Sequence, residues 1–192
     1  MKTSIPLLAV FLLAGCATGS EQPIETYDFG IPGPVTPPPG QDVFLSDVRA
    51  AEWLSTTEML YRLEYRNPRI LTAYSASRWA GVPAHMLTIR LRQSVGNGSA
   101  VRSRHTKCGL TLFLAEFSQV FKSEQDSRAV MHLRATLTDS ATSERTLVRE
   151  LRIEKPAPAP NAAGEAAAFS DIAASAADEL NAWITEAGVC KI

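Results

Sequence analysis

The sequence predicts a single α+β domain in which a mainly antiparallel sheet carries one short helix and one long C-terminal helix. The chain has 192 residues, which is a typical length for one domain with its own core. Several segments alternate apolar and polar residues with the period of two that marks a half-buried strand. Residues 162–187 instead repeat their apolar side chains at helical spacing. Strands followed by single helices favour the α+β class.

The N-terminal segment is predicted to be a lipoprotein signal peptide. Residues 5–13 form an apolar run that is too short to span a bilayer, which takes about 20 residues. Leu13-Ala14-Gly15-Cys16 follows and resembles the bacterial lipobox. We therefore expect residues 1–15 to be removed and Cys16 to be lipidated on its thiol and its new amine. An ordinary secretory peptide with an incidental cysteine is the alternative.

The lipid on Cys16 would anchor the protein in a membrane, because two or more acyl chains give stable attachment. Ala17 stands where an aspartate would signal retention in the inner membrane, so the outer membrane is expected. Residues 16–40 contain six prolines and are predicted to be a lipidated, Pro/Gly-rich tether. For residues 27–30 two structures are possible from the sequence, an edge strand docked on the domain or a plain linker. The periplasmic domain is expected to span 41–192.

The first half of the domain is predicted to hold three strands and the short helix. The strands are expected at 42–49, 58–65 and 69–74, with a turn at Asn67-Pro68 between the last two. The strand at 58–65 would place Met59, Tyr61, Leu63 and Tyr65 on one face. Pro83 is a favoured residue for a first helical turn, and the apolar spacing continues to Gly96-Asn97-Gly98.

The second half is predicted to hold three strands and the long helix. The strands are expected at 107–121, 129–138 and 146–153, with a hairpin loop between the last two. The first is expected to be central and covered on both faces, because Leu112 and Leu114 alternate with Phe113 and Phe117. A stiff connector at 156–160 leads to the helix at 162–187, which Gly188 should cap.

Two cysteines, Cys108 and Cys190, remain once Cys16 is assigned to the lipid. The periplasm is oxidising, so they can form one disulfide. Closing a loop of about 80 residues would contribute about 4–5 kcal/mol in the chain-entropy model. Two free thiols or a metal pair are the alternatives. The three histidines share no ligand spacing with these cysteines, so no metal and no cofactor are predicted.

The distribution of charge is uneven. The net charge of −1 argues against nucleic-acid binding. Residues 65–115 contain eight basic residues and no acid, whereas residues 162–187 contain five acids and no base. In one interpretation, the two segments pair with each other or are each solvated. In the other, the basic segment forms a face that binds an acidic partner or lipid phosphates. The candidate partner-binding residues are Arg62, Arg78, Arg90, Arg92, Arg102 and Arg104.

No nucleophile elbow, phosphate-binding loop or zinc motif occurs in the sequence, so no enzymatic activity is expected. Two motifs carry a resemblance instead: Tyr61-Arg62-Leu63-Glu64-Tyr65 and Ser77-Arg78-Trp79-Ala80, followed by a proline-started helix. With the run at 112–121 and the lipobox, they resemble the ABC-type transport auxiliary lipoproteins, which include the PqiC-like lipoproteins of paraquat-inducible and Mce-type operons. The resemblance extends over about 27–183, although Gly81-Val82-Pro83 stands where the family often has a proline pair.

The resemblance implies an outer-membrane lipoprotein serving a system that moves lipids between the inner and outer membranes. Its implied partners are an Mce-domain protein, an inner-membrane permease and an ATPase, and a homo-oligomer is compatible with it. The alternative is an outer-membrane assembly or envelope-integrity lipoprotein without a transport partner. The motif aromatics Tyr61, Tyr65, Tyr74 and Trp79 are expected between sheet and helix. Arg62 and Arg78 would be either docking residues or structural ion-pair partners.

Overall fold

A computed structural model of the chain describes residues 23–33, 40–96, 106–140 and 146–190. These residues form eight strands, two α-helices and a short 3-10 helix at Glu52–Leu54. The strands are β1 Glu25–Tyr27, β2 Val43–Leu45, β3 Arg49–Ala50, β4 Glu58–Leu63, β5 Thr72–Trp79, β6 Cys108–Phe121, β7 Ser127–Asp139 and β8 Thr146–Pro156. The helices are α1 Pro83–Arg92 and α2 Ala162–Ala187. The predicted α+β class, with a short helix and a long C-terminal helix, is confirmed.

The strands form one open, mixed sheet in the order β1-β5-β4-β6-β7-β8. Strand β6 is its centre. One edge of β6 pairs antiparallel with β7 along its whole length, and β8 pairs antiparallel with β7. The other edge is shared by β2, β3 and β4, which pair in turn with the start, middle and end of β6, all in parallel. The long pairings are therefore antiparallel, and the parallel pairings are short.

Both helices cover the same face of the sheet. Helix α2 has the predicted bounds, and its stripe Phe169, Ile172, Ala173, Ala176, Leu180 and Ile184 is buried against β7 and β8. The Asn161 side chain caps its start by accepting a hydrogen bond from the Gly164 amide at 2.9 Å. Gly188 ends it with a φ of +67°, a left-handed conformation that favours glycine. Helix α1 adds the predicted apolar residues Ala84, Leu87 and Leu91 to the core.

Strand β6 is central, as predicted, but the prediction that both of its faces are covered is wrong. The β6–β7 register shifts between Leu114 and Glu116, so one extra residue is inserted in β6. A bulge of this kind reverses the alternation beyond it. Phe117 therefore lies on the helix-covered face with Leu114, whereas Phe113 lies on the opposite face and is exposed.

A cluster of four aromatic rings joins the N-terminal segment to the core. The Phe29 ring centroid lies 5.8 Å from that of Trp79 and 6.2 Å from that of Phe117, which stacks on Phe169 at 3.7 Å. Strand β1, which ends two residues before Phe29, pairs in parallel with β5. Of the two alternatives for residues 27–30, the structure therefore shows the docked edge strand. Phe29 belongs to the core although it lies ahead of the expected boundary at residue 41.

Two other elements differ from their predicted form. The segment 42–49 makes two short strands, β2 and β3, rather than one. A bulge between Glu58 and Leu60 buries Met59 and Leu60 together, and β4 ends at Leu63. Tyr65 therefore lies beyond the strand and is exposed, contrary to its expected place in the core.

The returning strand begins later than predicted, at Thr72 instead of residue 69. The Arg66 and Asn67 amides both donate to the Leu63 carbonyl oxygen at 2.9 Å, and the Asn67 side chain accepts from the Arg69 amide at 3.0 Å. These hydrogen bonds stabilise a wide turn, and β5 therefore begins three residues later than predicted.

Candidate functional surfaces

A disulfide joins Cys108 at the start of β6 to Cys190 beyond α2, with the two Cα atoms 5.5 Å apart. This is the pairing that the sequence favours over free thiols or a metal. Both cysteines are buried. The Cys190 carbonyl oxygen also accepts a hydrogen bond from the Asp42 amide at 2.9 Å. The segment after α2 is thereby fixed against β2 and β6.

Four of the six candidate arginines make contacts within the molecule, beginning with Arg62 on β4 and Arg78 on β5. Arg62 Nη2 lies 3.0 Å from Glu116 Oε2, and Nη1 donates to the Pro68 carbonyl oxygen at 3.3 Å. Arg78 Nη1 donates to the carbonyl oxygens of Tyr74 and Ser77. Arg62 is therefore a structural ion-pair partner, and Arg78 binds backbone.

Arg90 and Arg92 of α1 hold segments from the N-terminal part of the chain. Arg90 Nη2 donates to the Phe29 carbonyl oxygen at 3.2 Å. Arg92 donates to the Leu45 carbonyl oxygen at 3.1 Å and to Asp47 Oδ1 at 2.9 Å. Their partners are thus not the acids of α2. Arg102, Arg104 and Cys16 lie outside the described residues.

The face of the sheet opposite the helices, called here the open face, carries an array of ion pairs. Glu150 Oε2 lies 3.0 Å from His132 Nε2, and Glu150 Oε1 lies 3.3 Å from Arg134 Nε. Glu154 contacts Arg128 at 2.7 Å and Arg152 at 2.8 Å. The hydrogen bond from Arg152 is the main cause that lowers the pKa of Glu154, and Arg128 adds to it.

Next to these ion pairs, the open face has an uncharged patch made of Thr111, Phe113, Thr136 and Val148. Thr111 of β6, Thr136 of β7 and Val148 of β8 are register partners in adjacent strands. Phe113 aligns with Arg134, so it lies where the uncharged patch meets the ion pairs. Phe113 and Val148 are both exposed. An apolar centre beside ordered charges is typical of a protein-binding surface.

A second surface feature is a groove of about 310 Å³ between residues 28–32 and α1, called here the N-terminal groove. Its apolar lining includes Phe29, Pro32, Met86 and Ile89, and Arg90 and His85 contribute polar groups. No local sequence pattern predicts this groove, because it exists only where residues 28–32 meet α1.

Glu165 lies in the first turn of α2 and is 0 % exposed, and among the described residues neither of its buried carboxylate oxygens has a hydrogen-bond partner. Burial raises its pKa well above the ordinary value. Burial, and then the charge of Glu165, also raises the pKa of Tyr74, whose hydroxyl donates to Gln119 Oε1 at 2.5 Å. The sequence predicts the five acids of 162–187 to be paired or solvated, but Glu165 lies four residues before Phe169 and is therefore on the buried side of α2.

Within the ranges that the structure describes, no group of three or more His, Cys, Asp or Glu side chains could hold a metal ion. In the same ranges no helix is long and apolar enough to cross a membrane.

The chain belongs to the family of ABC-type transport auxiliary lipoprotein components, whose sequence profile matches residues 30–181. Family membership makes it a transport auxiliary lipoprotein and implies a membrane-anchored place in the cell envelope. None of the curated proteins compared with this chain matches it significantly.

Two solved structures share the fold. One is protein XCC0632 from Xanthomonas campestris, of the family DUF330, with a TM-score of 0.67 and 19% identity over 86% of this chain and 96% of that one. The other is an uncharacterised protein, with a TM-score of 0.64 and 10% identity over 84% of this chain and 99% of that one. At these identities the likeness concerns the fold alone.

Proposed function

We propose that this protein is a non-catalytic docking component of an ABC/Mce-type system that moves lipids between the inner and outer membranes. The lipid on Cys16 holds it in the outer membrane, with the domain in the periplasm. Its partners are an Mce-domain protein together with an inner-membrane permease and ATPase. Family membership supports the auxiliary role, and the lipobox supports the anchor.

The observation that carries the docking role is the asymmetry of the sheet. Both helices pack on one face, whereas the open face presents Phe113 and Val148 beside ordered ion pairs. A partner that covers this uncharged patch gains apolar burial worth about 25 cal/mol per Å². The ion pairs around it would favour one orientation of that partner, because charge complementarity fixes register.

The candidate arginines divide into two groups within this proposal. Arg62, Arg78, Arg90 and Arg92 are bonded inside the molecule, so their substitution would disturb the fold as well as any docking. Arg102 and Arg104 stay proposed contacts to an acidic partner. Reversing both charges should weaken association and leave the melting temperature unchanged.

The test is co-purification of transporter components from detergent-solubilised membranes. We expect the Mce-domain protein, permease and ATPase to be recovered with the wild-type lipoprotein, and to be lost when Phe113→Asp and Val148→Asp are combined. Ile70→Asp is the control, since Ile70 is comparably exposed but lies in the turn between β4 and β5. Both variants should melt at the wild-type temperature, because they change exposed side chains.

Equal recovery with both variants would show that the open face is not the docking surface. Recovery of no transporter component with the wild-type protein would contradict the transport role and favour an envelope-integrity lipoprotein without a transport partner.

A further inference from the structure

We propose that the end of the domain formed by residues 24–32 and α1 lies against the bilayer that holds the lipid anchor, with Ile31 and Ile89 inserted among its acyl chains. This rests on the anchor of the proposed function and adds a lipid-contacting surface to it. The occupant of the N-terminal groove and its rim is thus the hydrocarbon of membrane phospholipids.

The first support is the exposure of apolar side chains around the groove. Ile31 is 97% exposed and Ile89 is 51% exposed. Single exposed apolar residues are ordinary on a protein surface. Here, however, Ile89 lines the same apolar groove as Gly30 and Pro32, the two neighbours of Ile31. Exposed apolar side chains grouped in and beside one apolar groove indicate a contact with a protein or a membrane.

The second support is that the fold holds Ile31 in this exposed position. The Phe29 ring is buried, and its carbonyl oxygen accepts hydrogen bonds from Ser170 Oγ at 2.8 Å and Arg90 Nη2 at 3.2 Å. Asp28 Oδ1 accepts from the Gly30 amide at 2.7 Å, and Gly30 has a φ of +69°. The segment is therefore fixed just before Ile31, and the domain itself does not cover that side chain.

The third support is the short chain between the groove and the anchor. Cys16 precedes Ile24 by eight residues, which can span at most about 29 Å. The chain therefore keeps the start of β1 within about 29 Å of the bilayer surface. Strand β8, at the opposite edge, lies five strand spacings away, or about 24 Å. The uncharged patch on β6–β8 is then left free for a partner in the periplasm.

The Asp28 and Arg90 side chains line the groove, and each is bonded within the protein. Arg90 binds the Phe29 carbonyl oxygen, and the Asp28 carboxylate binds the Gly30 amide. The contact with lipid is therefore apolar, and we expect high salt to leave it unchanged, in contrast to binding by a basic surface.

The test uses the full, processed lipoprotein reconstituted in phosphatidylethanolamine–phosphatidylglycerol vesicles whose acyl chains are brominated. Single cysteines replace Ile31, Ile89 or, as the control, Val148, and each is labelled with a fluorescent dye. Val148 is 51% exposed, like Ile89, but lies on β8. The introduced thiol can be labelled alone, because Cys108 and Cys190 are joined and Cys16 carries the lipid.

We expect the dye at Ile31 and at Ile89 to lose most of its fluorescence to bromine quenching, in low and in high salt, while the dye at Val148 stays bright. No quenching at Ile31 and Ile89, or equal quenching at all three positions, would overturn the bilayer contact. The mass of the N-terminal peptide, measured on the same samples, shows independently whether Cys16 carries the lipid. An absent lipid would refute the anchor of the proposed function, whereas the quenching pattern decides the bilayer contact.

Discussion

Replacing Glu165 by methionine should stabilise the domain. Its carboxyl group is fully buried in the first turn of α2, and neither oxygen has a hydrogen-bond partner in the part of the chain that the structure describes. A buried polar group without a partner costs about 1–3 kcal/mol. Methionine has a similar length and removes that cost. In a domain of this size 1 kcal/mol corresponds to about 2–4 °C, so the melting temperature should rise by several degrees.

The same group makes stability depend on pH. Burial raises the folded-state pKa of Glu165 above its unfolded value, so the folded protein keeps a proton that the unfolded chain releases. The associated stability is fully present below the unfolded pKa, about 4.3, and is lost as pH rises through the folded pKa. Tyr74 stays protonated over this range, because its own pKa is raised above the ordinary tyrosine value.

The assay is denaturant unfolding of the wild-type protein, Glu165→Met and Glu165→Gln between pH 4 and pH 8. In both variants, the free energy of unfolding should no longer fall with rising pH in the way that Glu165 causes. Glu165→Met should be the more stable of the two, because it has no polar atom to bury. Glu179→Met, at an exposed position of the same helix, is the control and should change stability little. A less stable Glu165→Met, or an unchanged pH profile in both variants, would refute the reasoning.

Three further predictions concern the anchor, the disulfide and one glycine. Cys16→Ala should move the protein from the membrane fraction to soluble or unprocessed material, and unchanged outer-membrane fractionation of a processed variant would contradict the anchor. Replacing Cys108 and Cys190 together by serine should cost about 4–5 kcal/mol in denaturant unfolding, since the bond closes a sequence separation of 82 residues. Gly164→Ala should destabilise by about 1–3 kcal/mol, because a Cβ there would lie 2.0 Å from the Ala159 carbonyl oxygen. Alanine ordinarily stabilises a helix interior relative to glycine, so a raised melting temperature would show that this contact relaxes.

The sequence predicts well those elements whose signal is local. Helix α2 carries an apolar stripe, a capping asparagine and a terminal glycine, and its bounds agree with the prediction. Strand β7 alternates over 131–137 and β8 over 150–154, and the predicted inward residues Met131, Leu133, Leu151 and Ile153 are buried.

The remaining features depend on contacts between distant segments. The bulge after Leu114 comes from pairing with β7, and no local pattern marks the residue at which the alternation reverses. The parallel pairing of β1 with β5 and the burial of Phe29 likewise need partners about 50 residues or more away. For the same reason, neither the N-terminal groove nor the intramolecular partners of Arg90 could be read from the sequence.

The disulfide also has a consequence for when the protein becomes stable. Cys108 and Cys190 enclose β6, β7, β8 and α2, so a covalent ring contains the centre of the sheet and its main helix. In a reducing cytosol the ring is open, and the chain lacks the largest constraint on its unfolded state. We therefore expect the precursor to stay loosely folded before export and to reach full stability only after oxidation. In a pulse-chase experiment, protease resistance should then appear together with the loss of free thiols.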